Sequence, residues 1–200
     1  MGHYWAKFEE IDGHLFRLDT RVYLTDIDYP TDSDNCIGAI VGKNPGSAKP
    51  REFEPGNLFT EIKLDGDKLL PTVKNIIQKS MNTTDGIQYV QVLNLFYLCN
   101  KDLHQAINSN KLFESPILCP SESKYFPWVW FVWGGSNFHL NKYKERFATL
   151  NSQKLFFYNK NQKEVIDRFP AHNDLAKHTQ GLPHGEIVPY FKKMLNNELK

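Results

Sequence analysis

The sequence predicts an α/β protein, a three-layer α/β/α sandwich around a mostly parallel central sheet. Three observations carry that expectation. The runs CIGAIVG (36–42), IQYVQVLNLF (87–96) and WVWFVWGG (128–135) are dominated by apolar residues, as in strands buried on both faces. Helical periodicity fills stretches between and after these runs, which is the alternation of a parallel sheet. Each run also ends in polar or glycine residues, where open α/β folds place their ligands.

The elements follow in order. HLFRLDTRVYL (14–24) is rich in strand formers and reads as a hairpin arm or edge strand, and TDIDYPTDSDN (25–35) as an acidic loop. The first buried strand, 36–42, gives way to a loop, GKNPGSAKPREFEPG (42–56), whose Asn-Pro-Gly corner is strong turn chemistry. Positions 69, 70, 73, 76, 77 and 81 are apolar and form one helical face over 69–81, with Pro71 tolerated in the first turn. The second strand ends near Asn94 and the third in a glycine pair; NKYKERFATL (141–150) reads as the helix after it. KLFFYN (154–159) is a fourth short strand, and HTQGLPHGEIVPY (178–190) a loop carrying His178 and His184. No repeat and no Pro/Gly/Ser linker divides the chain, so 1–200 is expected as one domain, with an acidic arm over 1–35 and a core over 36–190.

Composition narrows the class. A hydrophobic fraction of 40% with 24% charged residues is that of a globular chain, with no apolar run of membrane-spanning length. The start lacks a signal-peptide pattern, and Cys36, Cys99 and Cys119 form no CxxC pair, so a cytoplasmic location without zinc or iron–sulfur is expected. His172, His178 and His184 recur every six residues, which does not gather them on a helix face, and no metal or other cofactor is expected. GKNPGSAKP lacks Walker spacing. Residues 1–40 hold eight acids against three bases although the whole chain carries +1, so the remainder is basic and suits a polyanionic partner. A monomer is expected.

In a parallel sheet the loops bearing Asn44, Asn94, Gly134-Gly135-Ser136, His178 and His184 emerge at one edge and can meet in one pocket. Taken singly these residues have plainer readings. Asn44 is a turn residue, Asn94 a partner for loop backbone, Phe59 a core ring, the glycine pair a strand-to-helix connection, and Trp128, Trp130 and Trp133 sheet packing. Lys43 shows no desolvating partner that would make it an amine nucleophile.

The order of the landmarks adds more than any one of them. VGKNPGS resembles the first motif of the uracil-DNA glycosylase superfamily, in its Gly-x-Asn-Pro-Gly branch. VLNLF is similar to that family's strand ending in a base-reading Asn, and WFVWGGS to its strand leading into a Gly-Ser phosphate clamp. GLPHGEIVPY falls where the second, His-centred motif would lie, and NLFTEIKLDGDKLLP resembles a stacking Phe followed by a helix start. The same landmarks (an NPS-type loop, NLF, WG and Gly-x-Pro-x-His) also resemble a bacterial family of unknown function.

The resemblance implies a monofunctional DNA glycosylase that hydrolyses the N-glycosidic bond of a flipped damaged or modified base. A hypermodified phage base such as glucosylated hydroxymethylcytosine would make the role antiviral rather than repair. Asn44 would position water and His184 would stabilise the departing base. Phe59 would stack on the base, Asn94 would read its edge, and Gly42 and Pro45 would line the base site. Ser47, Lys49, Gly135, Ser136 and Lys142, with Lys144 nearby, would hold DNA phosphates. The chain departs from the family in three places. Asn44 stands where the most active branch has an acid, Pro-His-Gly-Glu replaces His-Pro-Ser-Pro, and Lys43 occupies a position usually apolar or amide. Two other functions share the pocket: hydrolysis of free nucleotides or nucleosides, and binding of a modified nucleic acid without catalysis.

Overall fold

In the computed structural model, residues 1–52, 58–82, 86–135 and 138–196 are described. The strands are β1 (Gly2–Ile11), β2 (His14–Ile27), β3 (Asn35–Gly42), β4 (Lys49–Pro50), β5 (Phe59–Lys63), β6 (Gln88–Asn94), β7 (Phe126–Phe131), β8 (Ser152–Asn159) and β9 (Glu164–Ile166). The α-helices are α1 (Leu69–Ser80), α2 (Leu103–Asn110), α3 (Asn141–Lys144) and α4 (His184–Leu195). All nine strands join one mixed sheet in the order β4-β5-β1-β2-β6-β3-β7-β8-β9. Only the centre, β6-β3-β7-β8, is parallel, and every pairing outside it is antiparallel. The expectation of a mostly parallel sheet is therefore corrected: hairpin and meander strands outnumber the crossovers, because short turns join β1 to β2 and β8 to β9.

The centre is apolar on both faces, as its continuous hydrophobic runs require. Ile40, Val90, Val92, Trp128, Trp130, Phe156 and Tyr158 pack in one cluster with Val73, Ile76 and Ile77 of α1 and Ile187 and Phe191 of α4. Their sequence neighbours Ala39, Val41, Leu93, Val129, Phe131 and Phe157 pack in a second cluster with Ala106 and Ile107 of α2 and Tyr143 of α3. The period of two in cluster membership is the strand alternation itself. The tryptophans belong to this packing, with Trp130 stacked on Phe156 and edge-on to Phe191.

Several elements differ from the sequence expectation. Of the two expectations for 14–24 the hairpin arm is the one observed: β2 pairs antiparallel with β1, and it is no edge strand because β6 pairs with its other side. It carries a register shift at Asp19, whose φ is +42°. Leu18 consequently faces the α2 side while Val22, four residues on, faces the α1 side. An inserted residue reverses which face the following side chains take. The expected helix over 141–150 is α-helical only to Lys144 and continues as a 3-10 turn, Glu145–Thr149. There Arg146 donates to the carbonyls of Asn94 and Leu95 at 2.9 and 2.7 Å and to Glu122, which ties this segment to the end of β6. The stretch 178–190 is loop only up to Pro183; α4 begins at His184 and carries Pro189 inside it, on its exposed side.

Candidate functional site

β3 and β6 are adjacent and parallel, and Gly42 at the end of one is in register with Asn94 at the end of the other. Beyond them opens a cleft of about 610 Å³. Its walls are the 43–47 loop, the 65–69 segment entering α1, Asn94, the 101–103 approach to α2, and His178 and Gln180. One further wall comes from the antiparallel flank. Because β2 runs against β6, the start of β2 lies where β6 ends, and it brings Arg17 into the cleft. The Arg17 N–H donates to the Tyr97 carbonyl just past β6.

Local chemistry fixes each group. Pro45 presets the corner after Asn44, and Gly46 follows at φ +69°, the left-handed conformation that a Pro-Gly turn requires. The Asn44 amide donates from Nδ2 to the Asn100 carbonyl at 2.7 Å, which orients its side chain and leaves Oδ1 as an acceptor. A Cβ at Gly42 would lie 2.9 Å from Asn94 Oδ1, so glycine there leaves room for the amide of its neighbour. Asn94 is 2% exposed, lines the cleft, and its Nδ2 has no hydrogen-bond partner among the described residues. Buried amide groups are usually paired, so an unpaired one at a cleft wall is a candidate for ligand recognition.

His178 is half-buried. Burial first, and then Lys43 and Lys177, hold its pKa below the ordinary imidazole value. Its Nδ1 accepts from the Gln180 N–H at 3.2 Å, so the proton of the neutral ring sits on Nε2. Lys43 is also pushed down by burial, and Lys144, fully buried, is pushed down by burial and by Lys43. Arg17 is 2% exposed and its pKa is lowered by burial, though a guanidinium stays charged.

Of the residues singled out from sequence, Asn44, Pro45, Ser47 and Asn94 line this cleft, with Lys43 beside them and Gly42 behind the wall. His184 does not line it: that residue opens α4, and the histidine in the cleft is His178. Phe59 is also elsewhere, packed with Trp5, Tyr23 and Tyr89 under the Arg21 guanidinium, 4.3 Å from its ring. It sits in β5, on the far side of β1 from the parallel centre, so it is a packing ring. Lys49 is exposed on β4, opposite Lys63, and Lys142 is exposed with its ammonium 4.7 Å above the Tyr143 ring; neither lines the cleft. Gly135 is exposed beside Leu175, and Ser136 falls outside the described residues. Arg17 and His178 complete the cleft without having been assigned a role from sequence. The signal for Arg17 was present, an arginine within a strand-forming run, where a buried charge demands a partner.

Among the described residues no group of three or more His, Cys, Asp or Glu side chains is placed to hold a metal ion, and no helix is long and apolar enough to cross a membrane. No protein-family model, curated protein or solved structure matches the chain.

Proposed function

We propose that this chain is a DNA glycosylase with a three-layer α/β/α architecture, hydrolysing the N-glycosidic bond of a flipped, modified base. The observation that carries the reading is the pair of carboxamides. Asn44, in the loop just past the end of β3, and Asn94, at the end of the neighbouring parallel β6, line one cleft. Asn44 is held through its Nδ2, and Asn94 is buried with its Nδ2 unpaired among the described residues. An amide that keeps both a donor and an acceptor reads the edge of a base, and a fixed carbonyl oxygen holds a water against the sugar. The His178 imidazole, neutral and protonated on Nε2, donates to the negative charge that develops on the departing base. In the reaction water adds to C1′ as the C1′–N bond breaks. The base leaves with the electron pair of that bond and takes up a proton, and an abasic sugar remains.

The test incubates the protein with unmodified DNA, uracil-containing DNA and DNA carrying glucosylated hydroxymethylcytosine, and measures abasic sites and free base. Release from at least one modified substrate, lost in Asn44→Ala, supports the reading. No release from any of them overturns it.

One feature favours the second reading, hydrolysis of free nucleotides. Arg17 and Lys43 place positive charge inside the cleft, where a mononucleotide carries its own phosphate. Base release from a deoxynucleoside monophosphate but from no DNA would establish that reading instead.

A further inference from the structure

We propose that the floor of the cleft is a built anion subsite for a phosphate group, with the Arg17 guanidinium at its base and Lys43 and His178 beside it. Arg17 is 2% exposed, and neither its Nε nor its Nη1 has a hydrogen-bond partner among the described residues. The carboxylate paired with it, Asp67, stands 3.8 Å from Nη1, beyond hydrogen-bond reach. Asp67 accepts the Leu69 and Leu70 N–H groups on Oδ1, at 2.7 and 3.4 Å, and turns Oδ2 toward Arg17. A guanidinium that lines a cleft while donors on it meet no acceptor among the described residues suits the oxygens of a phosphate.

The rest of the lining is mixed in charge, with Lys43, Lys68 and Lys101 on one side of the balance and Asp65 and Asp67 on the other. Lys43 lines the cleft and forms no ion pair with a carboxylate among the described residues; its ammonium lies 3.3 Å from where a Cβ on Gly134 would stand. Lys144 is fully buried behind it, donating to Asn141 Oδ1 at 3.2 Å and lying over the Trp133 ring. Lys43 disfavours the charge of Lys144, and burial, Lys43 and Lys177 disfavour a proton on His178, against the pull of Asp67. Self-repelling cations at the end of a sheet are relieved by one bound anion. A guanidinium and an ammonium suit the several oxygens of a phosphate better than the two of a carboxylate.

This inference rests on the glycosidase reading only for the choice of a nucleotide as the phosphate's carrier. The carrier is a free nucleotide or a phosphorylated strand end. Inorganic phosphate is the first probe, compared with chloride at equal ionic strength by thermal unfolding and by NMR titration of the His178 ring. Phosphate is expected to raise the unfolding midpoint and to move the His178 titration to higher pH. Lys43→Gln should weaken the apparent phosphate affinity at least tenfold, and Lys192→Gln on α4 should not. Arg17→Lys, which keeps the charge but loses the guanidinium donors, should also weaken it. Equal midpoints in the two salts with an unmoved His178, or a Lys43→Gln protein that binds phosphate like the wild type, would overturn the subsite.

A second measurement uses a deoxynucleoside 5′-monophosphate, its nucleoside, and an oligonucleotide with and without a 5′-phosphate. Each phosphorylated form should bind at least tenfold tighter than its partner if it is the carrier, and the tighter of the two names the source. Equal binding within both pairs counts against the proposal. Loss of phosphate binding with base release intact removes this inference alone. Absent base release with phosphate binding intact removes the glycosidase reading alone.

Discussion

Asn44 is the residue at which the chemistry is most open to test. Its side chain is fixed through one hydrogen bond to Asn100, so removing it leaves the core untouched. Asn44→Ala should lower base release by about 10²-fold or more, a usual contribution of a group that handles the attacking water. Asn44→Asp supplies a carboxylate at the same reach and should retain or raise the rate; single-turnover kinetics on a responsive substrate distinguishes the two. His178 gives a pH prediction. Its pKa lies lower in the folded chain than the ordinary value of about 6.5 that it takes when unfolded. The unfolded chain therefore binds the proton more readily, and stability should fall as pH drops through about 6.5 and level off below the folded pKa. Denaturant unfolding between pH 5 and 8, compared with His178→Gln, isolates that slope. Lys43→Met should move the His178 midpoint back toward its ordinary value, since Lys43 is one of its causes.

β3 shows how an element fixes its neighbours. Gly38 lies under Trp128 of β7, and a Cβ there would stand 2.1 Å from the indole. Gly38→Ala should therefore destabilise the fold by about 1–3 kcal/mol, as overpacking does, read as a lower denaturation midpoint. Gly42→Ala, at the other end of the same strand, presses on Asn94 and should impair substrate recognition more than stability. The central strands and α1 were legible in the sequence because their signals are long and periodic: buried runs at 36–42 and 87–96, and a helical face at 69–81. Weaker signals failed for physical reasons. α2 is short, and its one strong mark is Asp102 capping the Gln105 N–H at 3.0 Å. α4 reads as a loop because Pro183, Gly185 and Pro189 crowd its start, although Ile187 and Phe191 supply the buried stripe that holds it. The site divided similarly. The Asn44 corner is encoded locally and could be read. The choice of His178 over His184, and the arrival of Arg17 from β2, depend on strand order and direction, which no local pattern contains.

At the scale of the whole molecule, the acidic N-terminal stretch is part of the sheet that carries the cleft. β2 lies between β1 and β6 and delivers Arg17, so deleting residues 1–27 would bare the edge of β6 and remove a cleft wall. Such a protein should be recovered mainly as aggregate, as expected of a long exposed strand edge; size-exclusion chromatography of the soluble fraction checks it. DNA binding should be modest and fall steeply between low and moderate salt, because phosphate contacts supply it; fluorescence anisotropy across a salt series measures the slope.

The place of β2 has a further consequence in time. A ribosome completes the β1–β2 hairpin long before it makes β6, its partner some sixty residues downstream. At a synthesis rate of roughly 5–20 residues per second, the hairpin waits for about 3–12 seconds with its β2 edge open. During that interval the nascent chain is most exposed to pairing with a neighbour on the same polysome. Charged side chains along these strands, Lys7, Glu9, Glu10, Arg17, Asp19 and Arg21, disfavour such pairing, as charges on an open edge do.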